Sequence, residues 1–379
     1  MSKGGFFTKS QTDFIMFKKS IFCAFFGLFL IQTSSLSAQD YKTENIILIT
    51  LDGMRWQEVF KGADSLLVDD TGMVKVPGSL IEDFWDENPV ERRKMLMPFF
   101  WNTLATEGQI YGNRAFGNKV DNSNKMWFSY PGYNEVLSGF ADDQRINSND
   151  KINNPNVTLL EYLNRMPDFQ GKVMAFGSWD VFPFIVNEER SGIPVNAGFD
   201  LAEGENLSPE EILTNKLQSE IRGPWGGVRL DAFTQSYALA ALKNKKPRVL
   251  YVAYGETDDW AHENHYDQYI WSAKQTDVYI KEIWDFIQSD PQYKDKTTMI
   301  ITTDHGRGIS KTSWRSHGES VPEAGEIWMA AIGPDTPDTG EMKSQGQWQS
   351  AMIARTIFQI LGLDYPDTKA APSIKEMVK

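Results

Sequence analysis

Six side chains in the 379-residue sequence have the types and spacing for metal chemistry. Asp304 and His305 stand together at the end of the apolar, β-branched run 298–303, and Gly306 follows them. Asp52 ends the apolar run 45–51 and is likewise followed by a glycine, Gly53. Asp258 comes just after the run 248–254, His262 comes four residues later, and His317 lies further on. The chain has only four histidines, all between His262 and His317, where surface histidines would be scattered. Mixed imidazole and carboxylate sets of three suit zinc with one position left open for substrate, and six such residues are enough for two ions. Taken singly, Asp-Gly and Asp-His are ordinary turn formers, so the signal lies in the set.

A seventh residue could supply a nucleophile. Ser129 follows the aromatic pair Trp127 and Phe128, and Pro131 two residues later restricts the turn into a short helical stretch. A serine there sits at a helix N-terminus, where an alkoxide and bound phosphate oxygens are stabilised. The same position also suits a plain N-cap serine.

The elements that must position these residues are legible. Continuous apolar strands ending in a carboxylate belong to a parallel sheet buried on both faces, and such sheets bind ligands beyond their C-terminal strand ends. Further strands are expected at 110–116, 172–176 and 327–332, with helices at 98–106, 158–165, 231–243 and 350–361, the last ended by Gly362. Tyr266, Tyr269, Ile270, Ala273, Ile280, Ile283, Trp284 and Ile287 have the spacing of a core-facing helical stripe. Ser208 to Glu211 forms a capping box. The expected fold is α/β, a mostly parallel central sheet with helices on both faces and the active site at the C-terminal ends of the strands. One domain over 39–379 carries polar surface insertions near 61–96 and 178–227.

With 41% hydrophobic residues the chain can bury a large core. Its net charge of −13 excludes a nucleic-acid-coating role, although bound cations would still admit a small anionic substrate. Residues 1–38 read as an N-terminal extension and a signal peptide, with Lys18 and Lys19 before the apolar run 21–31 and small residues up to Ala38. The run is too short for a stable membrane span, so none is expected after cleavage, and the protein is expected in a bacterial periplasm or secreted. Cys23, the single cysteine, lies within that run, which leaves the exported chain without disulfides.

In order along the chain, Asp52-Gly53, Ser129-x-Pro131, Asp258-x-x-x-His262, Asp304-His305-Gly306 and His317 resemble the alkaline phosphatase superfamily, most closely its nucleotide pyrophosphatase/phosphodiesterase-like branch. The resemblance implies that Asp258, His262 and His317 hold one zinc that activates water. Asp52, Asp304 and His305 would hold a second, with Ser129 as fourth ligand and nucleophile, forming a phosphoseryl intermediate. It implies two divalent ions, zinc or alternatively manganese, and a small phosphorylated substrate, mono- or diester. An asparagine, Asn149 or Asn147 with Asn134 as the nearest alternative, would hold a phosphoryl oxygen. Trp127 and Trp260 flank the expected site, while His265 falls outside it. The chain departs from the branch in having Ser129 where Thr is usual and Gly132-Tyr133 where Asn-His is common. A sulfatase would need an arginine for formylglycine maturation where Tyr133 stands. The same fold would also admit a phosphoglycerate mutase-like phosphotransferase or a non-catalytic binding protein.

Overall fold

The computed structural model describes residues 41–379, so the expected extension and signal peptide lie outside the described residues. Eleven strands form two sheets among them. The large sheet contains β1 (Asn45–Leu51), β2 (Gly108–Tyr111), β4 (Val173–Gly177), β5 (Val195–Ala197), β6 (Val249–Tyr254), β7 (Thr297–Thr302), β9 (Met329–Ile332) and β10 (Gly340–Glu341). Their spatial order is β10-β2-β9-β7-β1-β6-β4-β5, and only β9 runs against the others. The small sheet holds β3 (Asn118–Asp121), β8 (Glu326–Ile327) and β11 (Gly346–Gln349). The fold is therefore the mostly parallel α/β sheet wrapped by helices that the sequence led us to expect.

Strand β1 shows why the apolar runs are continuous. Ile47, Ile49 and Leu51 enter one core and Ile46 and Leu48 the other, so both faces of the sheet are covered. Neighbours β6 and β7 split in the same way. Full burial of each such side chain contributes about 1.5–3 kcal/mol, which pins the register against slippage. The helix Tyr266–Ser289 buries the whole expected stripe against the first of these cores.

The register brings the carboxylates together. Thr50 pairs with Thr302 and Leu51 with Tyr254, so β6, β1 and β7 lie side by side and end at the same level. Asp52 N–H donates to Tyr254 O at 2.9 Å, carrying the ladder one residue past the strand.

Several expected elements differ. The run 327–332 breaks at Trp328 into β8 and β9, which join different sheets, because Trp328 is buried and donates its indole N–H to Met54 O at 2.9 Å. The strand expected to reach 116 stops at Tyr111, where Gly112 takes φ +116° and Asn113 caps a 3-10 turn. Residues 98–106 form a wide π turn, Phe100–Leu104, rather than a regular helix. Its first N–H groups are held by Asp277, which accepts from Phe99 N at 2.8 Å and Phe100 N at 2.9 Å. The stretch 61–96 contains two helices, Pro77–Phe84 and Pro89–Leu96, each opened by a proline whose missing N–H costs nothing at that position. Among the described residues no helix is long and apolar enough to cross a membrane.

Candidate metal centre

Each strand end delivers its side chain through a specific backbone device. After β1 the chain turns at Gly53 with φ +59°, and its N–H donates to Asp304 Oδ1 at 3.0 Å. A Cβ at Gly53 would lie 2.6 Å from Asp258 Oδ1, so only glycine lets the three strand ends close up. Asp258 and His262 lie one turn apart on the helix Glu256–His262, with Asp258 Oδ2 and His262 Nε2 3.1 Å apart. Thr257 on the same helix donates its hydroxyl to Asp52 O at 2.5 Å, tying that helix to β1.

Ser129 opens the helix Ser129–Ser138, whose N-cap is Phe128. Its hydroxyl does not cap the helix; Oγ lies 3.4 Å from both Asp52 Oδ1 and His305 Nε2. Those separations exceed a good hydroxyl hydrogen bond and leave the oxygen facing the cluster. The helix reaches the strand end through Gly132, where a Cβ would lie 2.3 Å from Asp304 O.

Two sets of three donor atoms lie mutually within 4.8 Å: Asp52, Asp304 and His305, and Asp258, His305 and His317. His305 belongs to both because its Nε2 lies 3.3 Å from Asp52 Oδ1 and 3.6 Å from Asp258 Oδ1. His262 extends the second set, its Nε2 being 2.9 Å from His317 Nε2. The rings of His305 and His317 stack with centroids 4.0 Å apart.

The protonation pattern fits cation binding. His305 Nδ1 is 2.9 Å from Gly306 O and His317 Nδ1 is 3.2 Å from Trp127 O. Donation from each Nδ1–H would leave both Nε2 lone pairs directed at the cluster, the usual arrangement of a metal-binding imidazole. Asp304 Oδ2 is buried with no hydrogen-bond partner, and His305 Nε2 stands 3.5 Å from it. Burial, reinforced by Asp258 for Asp52 and by Asp52 for Asp304, pushes both carboxyls well above the usual range. Burial acts the same way on Asp258, but Arg307 and His262 outweigh it and hold that carboxyl below the usual range. Burial, with His305 beside it, pushes His317 down to about 2. A divalent ion would relieve the carboxylate repulsion and use the imidazole nitrogens gathered there, so the donor set fits one.

The structure brings Asp52, Ser129, Asp258, His262, Asp304, His305 and His317 together. Asn134 stands elsewhere: it lies five residues beyond Ser129, about 140° round the helix. There its Oδ1 accepts from Asn156 at 3.0 Å and its Nδ2 donates to Phe140 O at 3.2 Å. Asn149 lies beside the nucleophile turn, its Oδ1 accepting from Tyr130 N at 3.0 Å. Trp127, at φ +47°, adjoins the site through its backbone, while Trp260 packs edge-on against Trp225 with centroids 4.7 Å apart. His265 caps the following helix and takes no part in the cluster.

Two contributors are not evident from motif spacing. Tyr133, fully buried, donates its hydroxyl to Asp52 Oδ2 at 2.9 Å. Helical arithmetic could have found it, since Ser129 and Tyr133 share a face. Arg307, 1% exposed, donates to Asp258 Oδ1, to Asp258 O at 3.0 Å and to Arg315 O at 2.7 Å. It thereby joins one ligand segment to the loop that carries His317. Its place directly after Asp304-His305-Gly306 was the available signal.

Residues 210–356 match the family model described as the Metalloenzyme superfamily, a span that includes Asp258, His262, Asp304, His305 and His317. No curated protein matches the sequence. Among solved structures, the chain is similar to the wild-type alkaline phosphatase PafA, with TM-score 0.58 and 10% identity, covering 89% of this chain and 99% of that one. It is also similar to a putative sulfatase from Bacteroides thetaiotaomicron VPI-5482, with TM-score 0.54 and 14% identity, covering 88% and 74%. A third is the phosphonate monoester hydrolase SpPMH from Silicibacter pomeroyi, with TM-score 0.51 and 12% identity, covering 89% and 76%. At such identities the structural matches speak for the fold, while the family model covers the segment with most of the cluster. The chain thus has the fold of the alkaline phosphatase PafA, and its residues 210–356 match the Metalloenzyme superfamily.

Proposed function

We propose that the chain hydrolyses phosphate esters through Ser129, using two divalent ions, zinc by the chemistry of the donor set. The observation that carries this reading is the position of Ser129 Oγ, 3.4 Å from Asp52 Oδ1 and from His305 Nε2 at the first residue of a buried helix. Asp52, Asp304 and His305 would hold one ion beside Ser129, and Asp258, His262 and His317 the other. Bound there, the ions would supply positive charge that lowers the hydroxyl pKa and offsets charge developing on the phosphoryl oxygens.

The remaining work falls to the chain's own residues. Ser129 Oγ attacks phosphorus, its P–O bond forming as the bond to the leaving alcohol breaks in line with it. Water then cleaves the phosphoserine, and inorganic phosphate or a phosphomonoester leaves. Tyr133 and Thr257 hold Asp52 in place through its side chain and its carbonyl. Asn149 anchors the nucleophile turn with its Oδ1, which leaves its Nδ2 to donate to a phosphoryl oxygen. Pro131 has no N–H, Tyr130 N–H is used by Asn149 and Gly132 N–H by Phe128 O at 3.1 Å, so that donor adds to the few the helix start offers.

The sulfatase reading is less well supported, because Tyr133 is committed to Asp52 where formylglycine maturation calls for arginine. An aryl phosphate monoester, an aryl phosphate diester and an aryl sulfate, assayed on the metal-loaded protein, separate the two. Turnover is expected on a phosphate ester, and Ser129→Ala should lower it at least about a thousandfold while both metals stay bound. Near-normal turnover by that variant, or aryl sulfate as the only substrate, would overturn the proposal.

A further inference from the structure

The helix Pro209–Glu220 is turned inside out. Its buried positions are Glu211, Thr214 and Gln218, while Ile212, Leu213, Leu217 and the following Ile221 face outward, 37% to 57% exposed. An amphipathic helix on a folded domain ordinarily does the reverse. The orientation is held by specific bonds and does not come from a frayed end. Ser208 and Glu211 close a capping box around Pro209. Glu211 pairs with Lys245 at 3.0 Å, Thr214 Oγ1 meets Ser236 Oγ at 2.5 Å, and Gln218 Nε2 donates to Phe199 O at 3.0 Å. Each of these three inner side chains thus bonds to the domain, and the apolar face is left outward.

Phe199 and Leu201, in the segment that Gln218 and Asn215 hold alongside the helix, are 43% and 42% exposed. These six side chains expose about 500 Å² of largely apolar surface, near the upper end of what a monomeric soluble protein leaves open.

We propose that this face joins two copies of the chain about a twofold axis. Leu213, Leu217 and Ile221 recur every four residues, which makes a ridge of the kind that interdigitates in the commonest helix-packing class. A twofold axis sets identical ridges into each other's grooves with the helices antiparallel. The rim carries both signs, with Lys216 and Glu220 both exposed, so the two copies meet locally as complementary surfaces. A stable interface covers about 800 Å² on each partner, and the apolar side chains supply about 500 Å² of such an area before any polar rim is counted. The edge strand β5 does not compete as a docking element. Its Val195 N–H is taken by Glu188 at 3.0 Å, its Ala197 N–H by Asp200 at 3.2 Å and its Asn196 carbonyl by Arg229 at 3.0 Å.

The test is sedimentation velocity of the full chain over roughly 1–100 µM, beside Leu213→Glu and Leu217→Glu, with flotation on phosphatidylglycerol vesicles as a parallel arm. The wild type should run as a dimer in the upper part of that range. Each variant should run as a monomer with unchanged circular dichroism, since neither residue is buried, and its unfolding temperature should no longer depend on protein concentration. As a second variant, Leu217→Cys should form an intermolecular disulfide on mild oxidation, and Cys23→Ser in the same chain removes the only other thiol. A wild type that stays monomeric throughout, a dimer that survives both charge substitutions, or binding to vesicles in place of dimerisation would overturn the proposal.

Discussion

Replacing Tyr133 with phenylalanine removes one oxygen from the site and little else. The ring would keep its edge contact with Phe182, 4.8 Å between centroids, so the helix and core should stay in place. What disappears is the donation to Asp52 Oδ2 at 2.9 Å. A hydrogen bond to a carboxylate is worth about 1.5–3 kcal/mol, and loss of an outer-shell partner typically weakens metal binding about 10–100-fold. The two figures agree within their precision. The bond also favours the ionised form of Asp52, whose carboxyl is already pushed up by burial, so its removal lets protons compete better with the metal. Tyr133→Phe should therefore weaken one of two zinc affinities, read by competition with a chromophoric chelator. The pH below which that ion is lost should move upward. The other ion, on the Asp258 side, should keep its affinity. Two unchanged affinities across the pH series would refute the claim that Tyr133 positions Asp52 for a metal.

Two further outcomes follow from buried charges. Arg307→Met leaves Asp258 without the guanidinium that holds its charge, and breaking a buried pair of this kind costs about 3–5 kcal/mol, so the metal-free variant should unfold well below the wild type. Zinc should then raise its unfolding temperature more than it raises the wild type's; an equal shift would show that Arg307 and the metal do not share Asp258. Asp277, pushed up to about 6 by burial, binds its proton more tightly folded than unfolded, so its contribution to stability is present below pH 4 and is lost as pH rises through 6. The loss is about 3 kcal/mol over that window, and urea unfolding from pH 4 to 7 should show a shallower decline in Asp277→Asn than in the wild type; parallel curves would count against it.

Much of the site could be read from the chain because metal chemistry constrains residue types. Asp52, Asp258 and Asp304 stood out because each interrupts an apolar strand, and the four histidines because they are few and gathered in one region. Strand and helix periodicity located the central elements, since both faces of the sheet and one face of the helix Tyr266–Ser289 had to be apolar. The break at Trp328 was not legible, because an uninterrupted apolar run looks the same whether one sheet or two receive it. Asn134 was drawn toward the site by nearness in sequence, while its place on the helix turns it to Asn154 and Asn156.

The sequence by itself determined which groups could act: three carboxylates at strand ends, clustered imidazoles and a serine before a proline, because apolar patterning and ligand chemistry are local properties. Tertiary structure decided which of them meet. The adjacency of β6, β1 and β7 sets Asp52 beside Asp258 and Asp304, the close approach at Gly132 brings in Ser129, and burial turns Tyr133 and Arg307 from unremarkable residues into the supports of the site. Those are consequences of register and packing between segments up to hundreds of residues apart, which no local pattern encodes.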